Sequence, residues 1–313
     1  MKVDVQLAIY SATVVLNFAV ALAVGAAMAS LWLAKGRSDW SQAQLRKLRP
    51  VRLTAIVVAI VAMGALLLFV SASMAEVPVA DAGEAVRSML TESHFGIAWS
   101  VGMTALIPAA LALAMSGPRP WLRRLAVSNL GALAVFVYTR SLVSHAAANG
   151  DLSLATVADW VHLCLISVWV GAVFISGLVT LAGQVASPPA EREEVARYVE
   201  NLSSSATFAL VGIFATGLFS AWHNIGSVAG LSGNPYGNTL LIKLGLVACA
   251  ALLGAFNRFI VMPSLLASLR RDAQRSAVLQ RRFTQVLRIE ALVLLLVLVA
   301  AAVLGATSPP TAA

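Results

Sequence analysis

Charge is scarce in this chain. Asp, Glu, Lys and Arg make up 12% of its 313 residues, roughly half the share of a soluble domain. With 59% hydrophobic residues and a mean hydropathy of +0.85, that scarcity excludes a soluble globular protein and points to an integral membrane protein. Cysteine is nearly absent. Cys164 and Cys249 each sit inside an apolar run, which argues against a structural disulfide, and no CxxC pair exists for zinc or redox work. No hydrolase nucleophile motif, phosphate-binding glycine loop or zinc-protease signature occurs. A cleavable signal is not expected, because residues 1–4 lead into an apolar run far longer than the core of a signal peptide. Neither an appended soluble domain nor an internal repeat is visible, so residues 1–313 read as a single transmembrane domain.

The charge that is present has a pattern. The net charge of +8 would suggest nucleic acid in a soluble protein, but 18 of the 22 Lys and Arg lie in segments 35–52, 116–124, 183–204 and 258–288. Lys2, Arg87, Arg140 and Lys243 are the exceptions. Such alternation orients a protein in the bilayer, and no nucleic-acid partner is expected. Windows of about 20 apolar residues predict an all-α, polytopic bundle of eight transmembrane helices over 6–34, 53–75, 95–115, 122–144, 156–182, 205–223, 239–261 and 287–307. The basic links then face the cytoplasm and both termini are periplasmic. The link 190–204 reads as a helix running into the sixth span. The link 264–288 reads as a polar, Arg-rich helix continuing into the eighth, with lipid phosphates as neighbours. Segment 76–93 is acidic, with Glu76, Asp81, Glu84 and Glu92.

The four histidines, His94, His145, His162 and His223, all fall at the ends of spans on the predicted outer face. Imidazole is the commonest metal ligand, and ionisable groups in or beside a bilayer are costly unless used. His145 is expected to end the fourth span and His162 to lie about two turns inside the fifth. Asp159, three residues before His162, shares its helical face and can ligate a metal or orient the imidazole. His94, His223 and Met74 are supporting candidates at the same boundary. Cys164 follows His162 by two residues, about 200° round the helix, so one ion cannot reach both. Lys243 reads as a snorkelling lysine and Arg140 as a partner for Asp159. Arg258 and Glu290 are placed to pair between the last two spans.

Several stretches, in order and spacing, resemble the copper resistance D proteins of bacterial inner membranes. They are Ser144-His145-Ala146-Ala147, Asp159-Trp160-Val161-His162-Leu163 with Trp169-Val170-Gly171, and Thr216-Gly217. Pro235-Tyr236-Gly237, Leu240-Leu241-Ile242-Lys243-Leu244, Asn257-Arg258 with Pro263, Arg288-Ile289-Glu290-Ala291-Leu292 and Pro309-Pro310 follow. Phe95-Gly96-Ile97-Ala98-Trp99 is similar to a family element in the third span. The resemblance makes 144–310 the family-like core and 1–143 a less typical four-helix part. It implies copper as cargo, import across the inner membrane, and a separate periplasmic copper-binding partner of the copper resistance C type.

Two functions follow from these residues. One is a copper-binding importer, more a transporter than an enzyme, with metal ligands among His145, His162, Asp159, His94, His223 and Met74. The alternative is a membrane oxidoreductase in which His145 and His162 are the axial ligands of one haem b on the outer side, linked to quinone or copper.

Overall fold

Long apolar runs separated by short polar links leave the backbone one economical solution in a bilayer, which is to bond to itself in helices. The computed structural model describes residues 2–116, 122–183, 188–225, 234–271 and 273–307, and among them there is no strand. The helices are α1 (Lys2–Leu33), α2 (Asp39–Met74), α3 (Gly83–Glu92), α4 (His94–Met115), α5 (Leu122–Ser141), α6 (Leu154–Ile175), α7 (Pro189–Ile225), α8 (Pro235–Phe256), α9 (Met262–Arg271) and α10 (Ala273–Gly305). Seven of these described helices are long and apolar enough to cross a membrane: α1, α2, α4, α6, α7, α8 and α10. The remaining expected span, α5, has Arg123, Arg124 and Arg140 among its 20 residues. It nonetheless lies along its neighbours. Asn129 Nδ2 donates to the Ala109 carbonyl of α4 at 3.4 Å, and two and a half turns further on Tyr138 donates to the Asp151 carbonyl at 2.8 Å.

α1 is the axis of the bundle. It is apolar all round, and it contributes to two separate cores. Leu16, Ala19, Val20 and Ala23 pack with α2, α4 and α5, while Ala21, Ala26, Ala29 and Leu33 pack with α6, α7 and α10. Small side chains allow a close crossing between α1 and α6. A Cβ on Gly171 would collide with the Ala21 carbonyl, and one on Gly25 with the Gly171 backbone.

The basic end is tied together by carboxylates of the linking arm. The helix expected at 190–204 is continuous with the next span as α7, and its Glu194 accepts from the Arg37 and Ser38 backbone N–H groups at 2.8 and 3.3 Å. The hydroxyls of Ser38 and Ser41 also donate to Glu194, and Trp40 N–H donates to Glu191 at 3.2 Å. The N-terminus of α2, where backbone N–H groups are unpaired, is thus capped by acidic side chains from a helix far away in sequence.

One expectation is corrected here. The 264–288 link is not one helix. α9 runs out from α8, and α10 runs back, so that Asn257 Nδ2 reaches the Phe283 carbonyl at 3.2 Å. A second difference lies at the ends of α6 and α8. Each passes into one turn of wider π-helix, Ser176–Thr180 and Asn257–Val261, both at the basic end.

Candidate functional site

The loop from α5 to α6 positions the site. α5 ends at Ser141, earlier than expected, so His145 does not end a span; it opens a 3₁₀ turn, His145–Asn149, and is exposed. Gly150 follows at φ +111°, a conformation that favours glycine. Ser153 then caps α6 by accepting from Thr156 N–H at 3.2 Å. Thr156 bonds back to the Gly150 carbonyl at 2.9 Å, which fixes where α6 begins relative to the loop. From that start, Asp159 lies one turn in and His162 two.

His162 is half-buried between α6 and α7. Its Nδ1 lies 2.9 Å from Thr216 Oγ1. The Thr216 hydroxyl has one proton, and it is directed to the Gly212 carbonyl at 2.7 Å. Oγ1 therefore accepts from the ring, which assigns the proton to Nδ1 and leaves the lone pair on Nε2. A neutral imidazole binds metal through either ring nitrogen, and here Nε2 is the one left free of Thr216. The Ile213 carbonyl also faces the imidazole. Gly217 makes room for the ring, since a Cβ there would stand 3.2 Å from His162 Cε1.

Asp159 is half-buried a turn above. Ser144 donates to Asp159 Oδ2 at 3.1 Å, and the Ser141 hydroxyl stands beside it. Arg140 and Lys243 both act on Asp159 electrostatically, and Lys243 acts on His162 as well. Lys243 is thus part of the site from α8 and not only an interfacial lysine. Four helices, α5 to α8, contribute to this polar cluster.

The other candidates are placed separately. His94 opens α4 and its Nε2 lies 3.1 Å from Asp151 Oδ2, with the imidazole 52% exposed. Met74 ends α2 at 73% exposure. His223 falls in the last turn of α7, and its side chain lies outside the described residues. Among the described residues no three His, Cys, Asp or Glu side chains form a metal cluster. The arrangement is one imidazole bonded to Thr216, with a carboxylate one turn away on the same helix; His94 and Asp151 pair apart from it.

Sequence reading missed Thr216, Ser144 and the reach of Lys243. Thr216 and Lys243 were visible as polar residues in apolar runs, but their partners lie on other helices. Arg258 and Glu290, expected to pair, take separate partners: Arg258 donates to Ser203, while Glu290 accepts from Trp169 Nε1 at 2.9 Å.

Comparison with known proteins gives a consistent picture. Residues 196–304 match the family described as copper resistance protein D, and residues 4–155 match the copper resistance protein D-like N-terminal domain. The second match extends the likeness to the first four spans. Asp159 and His162 lie between the two matched stretches. A copper resistance protein D of Pseudomonas syringae pv. tomato is 28% identical over 224 residues, 71% of each chain. A copper transport protein, CutJ, of Bacillus subtilis (strain 168) is 27% identical over 179 residues, which is 55% of this chain and 32% of that one. No solved structure matches the chain.

Proposed function

Because the chain belongs to the copper resistance protein D family, we propose that it takes copper ions from the periplasmic side at His162 and moves them inward. It is a multi-pass inner-membrane protein that handles copper. The observation that carries the finer reading is the locked imidazole. His162 presents an Nε2 lone pair inside the apolar part of α6, held by Thr216 and accompanied by Asp159. Imidazole nitrogen suits copper, and a carboxylate adds the negative charge a cation entering low dielectric requires.

The donor set is small. An ion held by one imidazole and one carboxylate, with Lys243 nearby, is bound loosely, which suits passage better than storage. His94 at the start of α4, and His145 and Asp151 on the loop before α6, are exposed. They form the surface on which a separate periplasmic copper protein of the copper resistance C type would release its ion. The haem alternative requires two imidazoles facing one iron. His94 is engaged with Asp151 and His145 stands on the loop turn, so these placements favour copper.

The test is copper titration of the purified protein in detergent, with an absorption spectrum recorded on the same sample. Expected are a saturable copper site without a Soret band and an affinity lowered at least tenfold in His162→Ala. A Soret band with stoichiometric iron, or unchanged copper binding in His162→Ala, would refute the reading.

A further inference from the structure

The His162 site lies at one end of the bundle and leaves the other half of the membrane unexplained. A cavity of about 140 Å³ lies in that half, bounded by α6, α7, α8 and α10 and the π turn after α8. Its rim residues Thr207 and Phe259 are exposed, and its inner wall is Trp169 and Glu290. Along α10 the lining runs from Glu290 through Leu287 to Phe283, about 10 Å toward the basic end at 1.5 Å per residue.

Two buried acceptor residues belong to the lining of this cavity. Glu290 is 2% exposed, and Trp169 Nε1 donates to its Oε1. No ion pair with Glu290 occurs among the described residues. Asn257 is 3% exposed; its Nδ2 is used on Phe283, and its Oδ1 is buried without a partner. Gly254 keeps the carboxyl uncovered, since a Cβ there would stand 3.3 Å from Oε1. A buried carboxylate with one indole donor and no cation paired with it is costly to keep charged, and a proton on it removes that cost. The volume has room for several water molecules.

The groups facing Glu290 are few. α6 presents Trp169, α7 Ser203 and Thr207, and α8 Gly254, while the π turn presents Asn257 and Arg258. Arg258 is directed to Ser203. Arg288, two residues from Glu290, is engaged on the other side with the Gly177 carbonyl at 3.1 Å. α1, which also packs on α10, has no charged residue between Asp4 and Lys35. On α9, Arg270 lies 4.0 Å from Glu200. Among the described residues, Arg258 is therefore the one charged neighbour lining the cavity.

We propose that Glu290 is a proton-exchange site, whose carboxyl takes up and releases a proton through water in this cavity past Asn257 toward the basic end. The reaction is a proton transfer between the carboxyl and water, with no other bond made or broken. Resting on the import reading above, the inference adds that inward copper movement is linked to this proton. A cation entering the bundle repels a proton on Glu290, and loss of that proton restores the negative charge the cation needs.

Infrared titration of the purified protein without copper tests the site itself. A carboxylic C=O band is expected to appear and vanish reversibly with pH, to be missing in Glu290→Gln, and to shift in frequency without loss in Trp169→Phe. A spectrum in which no such band depends on Glu290, or in which the band does not follow pH, overturns the site. Trp169→Phe removes the indole donor and leaves the carboxyl in place, so it identifies the band even if Glu290→Gln folds poorly. The link is tested in proteoliposomes, where a copper pulse is expected to move protons in the wild type and not in Glu290→Gln. Equal proton movement in both, or none in the wild type alongside copper uptake, overturns the link. Failure of copper binding at His162 would instead remove the import reading while leaving the infrared result to stand.

Discussion

A histidine becomes a metal ligand through the atom it does not use for its own support. In this bundle the supporting atom is Thr216 Oγ1, 2.9 Å from Nδ1; with its proton on the Gly212 carbonyl it accepts from the ring, and Nε2 is left for a ligand. The prediction at this scale concerns Thr216, which need not touch copper. Thr216→Val keeps the shape and removes the acceptor, freeing the ring to turn and to exchange tautomers. Loss of such an outer partner lowers metal affinity by about 10- to 100-fold, and Thr216→Ser should restore most of it. Competition with a chromophoric chelator measures the effect, and equal affinity in wild type and Thr216→Val would mean that the ring is held by other contacts. This feature was half legible in the sequence. His162 and Asp159 stand out as polar residues one turn apart on an apolar helix, but the partner that orients His162 is 54 residues away. No periodicity within α6 or α7 reveals which face of one meets the other.

At the scale of elements, a membrane bundle gains little from moving apolar side chains between lipid and protein, so the fit of helix surfaces decides the packing. α1 and α6 meet where Gly171 faces Ala21 and Gly25. Gly171→Ala places a methyl group against a backbone carbonyl that cannot rotate away. The helices have to separate, at a cost of about 1–3 kcal/mol or more. Expected is a Tm several degrees lower in detergent, followed by fluorescence-detected size exclusion. Gly64→Ala, in mid-α2 where a Cβ meets nothing within 4 Å, is the control and should hold or raise Tm. An unaltered Tm in Gly171→Ala would show that the crossing is looser than the geometry implies. Glycine in the spans was readable as packing material, but which glycine sits at a crossing was not. The same limit applies to the π turns. Nothing in the residue pattern of 176–180 or 257–261 distinguishes them from ordinary helix, yet the second brings Asn257 and Arg258 to the wall of the inner cavity.

For the whole molecule the most legible property was the alternation of apolar runs and basic links, because the bilayer imposes it on the sequence directly. The outer helix limits follow the expected spans within a few residues, while α2, α7 and α10 begin 14 to 16 residues earlier, in the basic links; the reversal between α9 and α10 was hidden because both of its arms are polar. The same alternation predicts an orientation, on which the direction of copper movement depends. If basic links 35–52 and 258–288 face the cytoplasm, the loop before α6 faces the periplasm, and His162 receives copper from there. Single cysteines introduced in a Cys164→Ala, Cys249→Ala background decide the matter, with Leu152→Cys at one end, where the native leucine is 84% exposed, and Arg271→Cys at the other. A membrane-impermeant maleimide added to spheroplasts should label Leu152→Cys at once and Arg271→Cys only after the membrane is broken. The reverse labelling would place the imidazole on the cytoplasmic face. It would turn the proposed entry into an exit, because the locked Nε2 and its carboxylate would then collect copper from inside the cell, and Glu290 would exchange its proton with the periplasm.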